Sequence, residues 1–325
     1  MIRFYHGAEQ KTFCRKIIAQ MDVREAVESF LDSRHTLSPA TQRGYTINLT
    51  IFATWCEAHG LALEQLTAKH VRQFVEDVSK RPGLKGSEHL HSATISKYAI
   101  NVKTFLAWCS RDEEFEDSVS VKVVNHIALP RIEQQVIETF TPEQLQALLR
   151  ATDKQLYDVR DKAIVSVLID TGIRAAELCG LVLKCVWLDS DDSYIRVLGK
   201  GRKEREVPLG RAARIALRRY ITRYRHPKNE AEQHVFIARG GKPLTVHGLL
   251  QVIEQLGERT RIRDVRVSPH TFRHTFAVQF LLNGGDIYKL SRLMGHTSVK
   301  ITERYLQAVN AKQARSSNHS VLDNL

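Results

Sequence analysis

Several absences narrow the reading of this chain before any motif is considered. It has no Cys-x-x-Cys pair and no His-Glu-x-x-His run, so two common signatures of a protein-bound zinc ion are missing and no metal site is expected. Its five cysteines, Cys14, Cys56, Cys109, Cys179 and Cys185, lie mostly inside apolar-periodic segments. That placement suits buried, reduced thiols better than a disulfide framework. No apolar run reaches the length of a membrane span, and Arg3, His6, Glu9, Lys11 and Arg15 interrupt any signal-peptide core. A soluble, cytoplasmic protein without a membrane partner is therefore expected. Internal repeats and low-complexity tracts are absent as well.

What is present is a basic chain long enough for two cores. Its 325 residues are 43% hydrophobic and carry 48 Lys and Arg against 36 Asp and Glu, a formal charge of +12. Such an excess favours a polyanionic partner through counterion release, without distinguishing DNA from RNA or an acidic membrane. Residues 1–37 hold one amphipathic stretch, Val23 to Leu31, whose role the sequence leaves open. Over 38–115 three helices are predicted: one from Ser38-Pro39, with Tyr45, Leu49, Phe52 and Cys56 at helical spacing, one from Leu66-Thr67 to Val78, and one from Ser92 to Cys109. The stretch Glu113 to Ile137 loses periodicity and reads as an exposed linker, placed at 116–138.

A second domain is predicted over 139–310. It opens with a capped helix at Thr141-Pro142 and a strongly apolar one from Asp158 to Ile169 that stops at Thr171-Gly172. Three short strands follow, Val182–Leu188, Tyr194–Leu198 and Arg205–Leu209, and then helices at Ala212–Tyr224, Val246–Leu256, Thr271–Leu282, Ile287–Met294 and Ser298–Leu306. The fold class is mostly α with a small antiparallel β-sheet. Residues 311–325 form a tail that carries the apolar Val321, Leu322 and Leu325 near its end.

The side chains with chemical potential lie in the second domain, in a fixed order. Arg174 stands in Thr171-Gly172-Ile173-Arg174-Ala175-Ala176-Glu177, just past a helix end, and Arg273 lies three residues after His270. Two guanidiniums offer rigid, permanently charged donor forks suited to phosphate oxygens, and they stabilise the charge that builds up when a phosphodiester is attacked. A helix beginning near Pro269 would add its positive end. Tyr305, beyond Gly295-His296-Thr297-Ser298, is the candidate nucleophile. A phenol with an ordinary pKa near ~10 needs help to lose its proton, and His270 is assigned as the base while His296 holds a phosphate oxygen or positions the tyrosine. Lys200, in the glycine-flanked turn Gly199-Lys200-Gly201-Arg202-Lys203, could deliver a proton to the leaving oxygen, with Lys203 as its rival. Glu177 could orient Arg174 or a histidine.

Taken singly, these residues have ordinary explanations: a ring packed in a core, a histidine at a core edge, arginines on a solvated helix face. Arg211, Arg214, Arg218, Arg219, Arg223 and Arg225 fit such a face nearly as well as a DNA track. Arg202, Lys203, Arg205, Arg259, Arg261, Arg263 and Arg266 are kept as DNA-binding candidates because they lie beside the proposed site in sequence.

As an ordered set, the motifs closely resemble those of the tyrosine recombinase or phage integrase family, in its Xer-like and transposon-integrase branches. The Arg174 box, the Leu198 to Arg205 hairpin, His270-Thr271-Phe272-Arg273-His274, and Leu293-Met294-Gly295-His296 followed by Tyr305 carry the likeness. The resemblance implies a helical amino-terminal core-binding domain and a mixed α+β catalytic domain closing around double-stranded DNA. It further implies that Arg174 and Arg273 clamp the scissile phosphate, that Tyr305 forms a 3′-phosphotyrosine, that Lys200 protonates the 5′ oxygen, and that His270 and His296 assist. Recombination would then proceed through a Holliday junction in a homotetramer on two synapsed sites, with no cofactor. Two alternatives stay open at this point: type IB topoisomerase-like relaxation of DNA, and a non-catalytic DNA-binding protein.

Overall fold

The computed structural model describes residues 22–83, 88–130, 137–152, 158–199 and 203–316, with side chains to residue 310. The chain divides into two compact units, Met1–Gln134 and Gln135–Leu325. Among the described residues, no helix is long and apolar enough to cross a membrane.

The first unit is helical: α1 (Val23–Asp32), α2 (Pro39–Ala58), α3 (Ala68–Ser79), α4 (Ser92–Cys109) and the short α5 (Val121–His126). Local chemistry sets the starts. Ser38 accepts the Thr41 N–H ahead of Pro39, and Thr67 accepts that of His70, so each cap satisfies a donor the helix leaves free. The apolar stripes of α1 to α4 then meet in one core built on Phe30, Phe52, Phe74 and Phe105, all fully buried. Phe30 is its crossing point. Its ring lies 5.4 Å from Tyr45, 5.7 Å from Phe105 and 5.5 Å from Trp108, each edge to face, an arrangement that adds quadrupolar attraction to area burial.

Two segments differ from the sequence reading here. The amphipathic stretch in residues 1–37 is α1, whose Val23, Ala26, Val27 and Phe30 are part of this core. The segment read as a linker from Glu113 contributes Phe115, Val119, Val124 and Ile127 to it, through tight turns and α5. Short, irregular segments bury single side chains without a repeat, so periodicity cannot register them. Cys56 and Cys109 are buried here as free thiols, and burial pushes the Cys56 thiol up to about 12. Cys179 is likewise buried in the second unit, Cys185 is half-buried, and Cys14 falls outside the described residues.

The second unit contains α6 (Pro142–Arg150), α7 (Asp158–Thr171), α8 (Ala175–Cys179), strands β1 (Val186–Leu188), β2 (Ser193–Leu198) and β3 (Glu204–Pro208), then α9 (Arg211–Arg219), α10 (Val246–Thr260), α11 (Pro269–Leu282), α12 (Ile287–Met294) and α13 (Lys300–Ser316). The sheet is antiparallel in the order β1-β2-β3. Val186 pairs with Ile195, and Ile195 with Val207. Ile195, Val197 and Val207 face a core shared with Ala163, Ile164, Val167 and Leu168 of α7 and with Phe272 of α11. A second cluster, Ala277, Val278, Leu290, Met294, Tyr305 and Val309, ties α11, α12 and α13 together.

The expected elements are present, with three shifts at their edges. The first strand begins as a 3₁₀ turn, Leu183–Cys185, leaving only Val186–Leu188 extended. The helix expected to end at Tyr224 finishes as a π-turn over Tyr220–Tyr224, and the last helix runs on from Leu306 to Ser316. Of the six crowded arginines, Arg211, Arg218, Arg219 and Arg223 are exposed, and three bond to backbone carbonyls. Arg214 donates to Asp189 O at 3.0 Å, Arg218 donates to Leu188 O, and Arg225 donates to His234 O at 3.0 Å, each satisfying a backbone carbonyl. The tail residues Val321, Leu322 and Leu325 fall outside the described residues.

Because Phe30 is 0% exposed and contacts three aromatic rings, Phe30→Ala is expected to cost roughly 3–5 kcal/mol. Urea unfolding measures it. A loss below about 1 kcal/mol would mean that α1 is not integral to the first core.

Candidate active site

The site is organised by the carboxyl end of α12. A helix leaves its last carbonyls without internal partners, and here three successive ones each receive a guanidinium. Arg205 Nε donates to Leu293 O at 2.6 Å, Arg273 Nη2 to Met294 O at 2.7 Å and Arg174 Nη2 to Gly295 O at 3.0 Å. The negative end of the helix dipole favours these cations.

Each arginine reaches this point by a different local device. α7 stops at Gly172, whose φ of 58° places it in the left-handed region, and a Cβ there would lie 2.4 Å from Phe276 Cδ1. The turn exposes Gly172 O, which accepts from Arg273 Nη1 at 2.7 Å. Two residues on, Arg174 caps α8, and Glu177 at its third position accepts the Arg174 N–H at 2.8 Å and Arg174 Nη1 at 2.8 Å. Arg273 is on α11, capped by Ser268 with Pro269 in its first turn, and is 4% exposed. Burial and the neighbouring Arg174 draw its pKa down to about 10, which leaves it cationic at neutral pH.

Glu177 is the counter-charge. It accepts from Arg205 Nη1 at 2.9 Å and Nη2 at 2.8 Å, a bidentate pair, as well as from Arg174. Burial alone would raise its carboxyl, but the hydrogen bonds from Arg205 and Arg174 bring it down to about 2.

Tyr305 is 2% exposed on α13, and its Oη lies 3.0 Å from His274 Nδ1. Burial pushes the phenol upward, against the pull of Arg273, Arg304 and Arg174. The His296 ring lies parallel to the Tyr305 ring at 6.4 Å. His296 Nε2 accepts from Arg273 Nη2 at 3.0 Å, which leaves Nδ1 to donate to Thr302 Oγ1 at 2.8 Å. Burial and then Arg273 hold His296 at about 4, so the ring is neutral at pH 7, as this pattern requires.

The geometry thus brings Arg174, Glu177, Arg273, His296 and Tyr305 together, and it places two side chains differently from the expectation. His270 was expected beside the phenol, but it is exposed in the first turn of α11, and its ring centre is 4.9 Å from that of His274. His274, passed over in the sequence, is the histidine bonded to Tyr305. The two are one helical turn apart on the same face, so spacing alone could not choose between them.

Arg205 is the other correction: its side chain is turned inward onto Glu177 and Leu293 O rather than toward DNA. The signal was legible in strand alternation, because Arg205 shares a face of β3 with the buried Val207. Lys200 and Arg202 lie outside the described residues, while Lys203 is exposed and closes the hairpin by accepting the Gly199 N–H at 2.8 Å. Arg261, Arg263 and Arg266 are exposed on the approach to α11, and Arg259 stands 3.6 Å from Asp158.

Known proteins resemble the chain over most of its length. Residues 138–312 match the sequence profile described as Phage integrase family, and residues 27–113 match Phage integrase, N-terminal SAM-like domain. The chain is similar to the tyrosine recombinase XerD of Corynebacterium glutamicum, 30% identical over 83% of this chain and 88% of that protein. It is also similar to the tyrosine recombinase XerC of Leptospira interrogans, 27% identical over 87% of this chain and 88% of that one. The fold resembles that of the XerH site-specific recombinase bound to palindromic difH substrate in a post-cleavage complex. The TM-score is 0.72 at 20% identity, over 90% of this chain and 83% of that one. It likewise resembles the Tn1549 transposon integrase in complex with transposon right end DNA, with a TM-score of 0.69 at 16% identity over 91% of this chain and all of that one.

Two outcomes follow from the buried charges. Arg205→Met removes the bidentate partner of a carboxylate only 3% exposed and is expected to destabilise the second unit by roughly 3–5 kcal/mol in urea unfolding. A change below about 1 kcal/mol would exclude a bracing role. Stability should also fall on acidification. His274 and His296 are held at about 4 against 6.5, so the unfolded chain takes up their protons first, and stability is lost as pH drops from 6.5 toward 4. Glu177, at about 2 against 4.5, adds a loss from 4.5 toward 2. Replacing both histidines by asparagine should flatten the upper part of the urea stability profile, and a flat wild-type profile between pH 7 and 4 would contradict their neutrality.

Proposed function

We propose how this site acts from one premise: the chain belongs to the phage integrase family of tyrosine recombinases, in its Xer-like branch. Its activity is site-specific cleavage and rejoining of duplex DNA through a phosphotyrosine intermediate. The observation that supports these residue assignments most directly is the binding of Arg273 and Arg174 to consecutive carbonyls, Met294 O and Gly295 O, on the element that leads into His296 and Tyr305.

Two fixed cations in one place suit a phosphodiester. A guanidinium has five N–H donors, and Arg174 and Arg273 each spend only part of theirs on the protein, keeping others for the non-bridging oxygens. Because the carbonyls and Glu177 set their positions beforehand, little reorganisation is needed as charge builds on the phosphate. Tyr305 Oη attacks phosphorus, and the sugar 5′ oxygen leaves with a proton supplied by Lys200. His270 is assigned to assist at the phosphate, and His296, bonded to Arg273 and parallel to the Tyr305 ring, to position those two groups. The phenolate is itself a good leaving group, so the covalent link conserves the energy of the broken bond and rejoining needs no high-energy cofactor.

Both matched regions, residues 27–113 and 138–312, are assigned to contact the duplex. A homotetramer on two synapsed sites is the proposed active assembly. Arg261, Arg263, Arg266 and Lys203 are assigned to phosphate contacts beside the scissile position, which predicts binding that weakens steeply with salt.

On a nicked suicide duplex carrying the chain's recombination site, the wild-type protein should form a covalent adduct that survives denaturing electrophoresis. Tyr305→Phe should bind the same duplex and form none. Arg273→Ala should lose on the order of 10²-fold or more in adduct formation. An adduct formed by Tyr305→Phe would remove the nucleophile assignment. Relaxation of supercoiled plasmid without any recombinant product from paired sites would replace recombination with simple relaxation.

A further inference from the structure

The family's chemistry requires the Tyr305 phenol to lose its proton as it attacks, and the three histidines near it stand in very different positions to receive it. His296 has both ring nitrogens engaged, Nε2 accepting from Arg273 at 3.0 Å and Nδ1 donating to Thr302 at 2.8 Å. His270 is exposed, one turn earlier on α11. His274 is half-buried, and its Nδ1 lies 3.0 Å from Tyr305 Oη.

We infer that His274, one residue after Arg273, is a catalytic residue: its Nδ1 accepts the Tyr305 proton during cleavage and returns it during rejoining. The inference rests on the recombinase reading above and concerns one proton within it. In the forward step the Oη–H bond breaks and the proton passes to Nδ1, making an imidazolium. The oxygen uses the freed electron pair to bond to phosphorus. The P–O5′ bond breaks with its pair going to the 5′ oxygen, which takes a proton from Lys200. In rejoining, the 5′ hydroxyl returns its proton to Lys200 as its oxygen bonds to phosphorus, the Oη–P bond breaks with its pair going to Oη, and the phenolate recovers the proton from His274. No external acid, base or cofactor is consumed.

The surroundings suit this task. Burial, with His270, Arg304 and Arg273 nearby, holds His274 at about 4, so at neutral pH the ring is uncharged and one nitrogen is free to accept. A phosphate bound between the arginines would offset their share of that depression and strengthen the base when substrate is present. Tyr305 itself is kept protonated by burial until then. Proton acceptor and nucleophile are fixed by different helices, α11 and α13, which pack together through Ala277, Val278 and Val309. The hydrogen bond is therefore held by core packing rather than by a flexible loop.

The test is single-turnover adduct formation by the full chain on a nicked suicide duplex, with tyrosine or 3,5-difluorotyrosine, a more acidic phenol, at position 305. His274→Ala should bind the duplex as the wild type does and form adduct about 10²- to 10⁴-fold more slowly. His274→Asn, which keeps a polar side chain against Oη but cannot take the proton, should be similarly slow and guards against a collapsed pocket. With difluorotyrosine the deficit of both variants should shrink at least fivefold, because a more acidic phenol depends less on a base. Adduct formation at the wild-type rate by either variant, or a deficit unchanged by fluorination, would reduce His274 to a packing contact and overturn the inference. A wild-type protein that forms no adduct would instead overturn the recombinase reading on which it rests.

Discussion

The carboxyl end of α12 is the constraint on which the candidate active site depends. Three carbonyls that no helix turn can satisfy, those of Leu293, Met294 and Gly295, are met by Arg205 from β3, Arg273 from α11 and Arg174 from the cap of α8. Burying unpaired carbonyls is costly, and so is crowding guanidiniums. Each difficulty offsets the other, and the result is a rigid frame of positive charge. Gly295 makes the turn possible: its φ is 63°, and a Cβ there would stand 2.8 Å from Arg205 Nη1.

The frame is short of negative charge. Glu177 is shared between Arg174 and Arg205, and among the described residues no carboxylate is bonded to Arg273, which leans on Gly172 O, Met294 O and neutral His296. An arrangement that pays for its own folding through carbonyls while leaving cationic donors free is suited to an anion that arrives later. Tyr305 stays protonated and enclosed beside it, and His274 and His296 stay neutral because burial and the same arginines oppose a further positive charge. Electrostatics thus sets the protonation state of the whole site before substrate is present.

Much of this was legible in the sequence wherever the signal is local. Helix starts at Ser38-Pro39 and Thr141-Pro142, the stop at Gly172 and the span Ile287 to Met294 follow from caps, turn residues and 3.6-residue spacing. The arginines, the glutamate and the tyrosine stood out by residue type and order, and the fold brings them together. Segments without a period were not legible. Phe115, Val119 and Ile127 are buried by turns, and α1 looked isolated because its partners Tyr45, Phe105 and Trp108 lie on other helices.

Sequence by itself determined which reactive groups the chain carries, their order, and the local elements that bear them, because capping, periodicity and turn chemistry act over a few residues. Tertiary structure alone decided which histidine meets the phenol and whether Arg205 faces DNA or Glu177. His270 and His274 share a helix face, and only the docking of α13 against α11 brings His274 to 3.0 Å from Tyr305. Arg205 bonds to residues far from it along the chain, Glu177 and Leu293, and such pairings depend on the path of the backbone rather than on any neighbour in sequence.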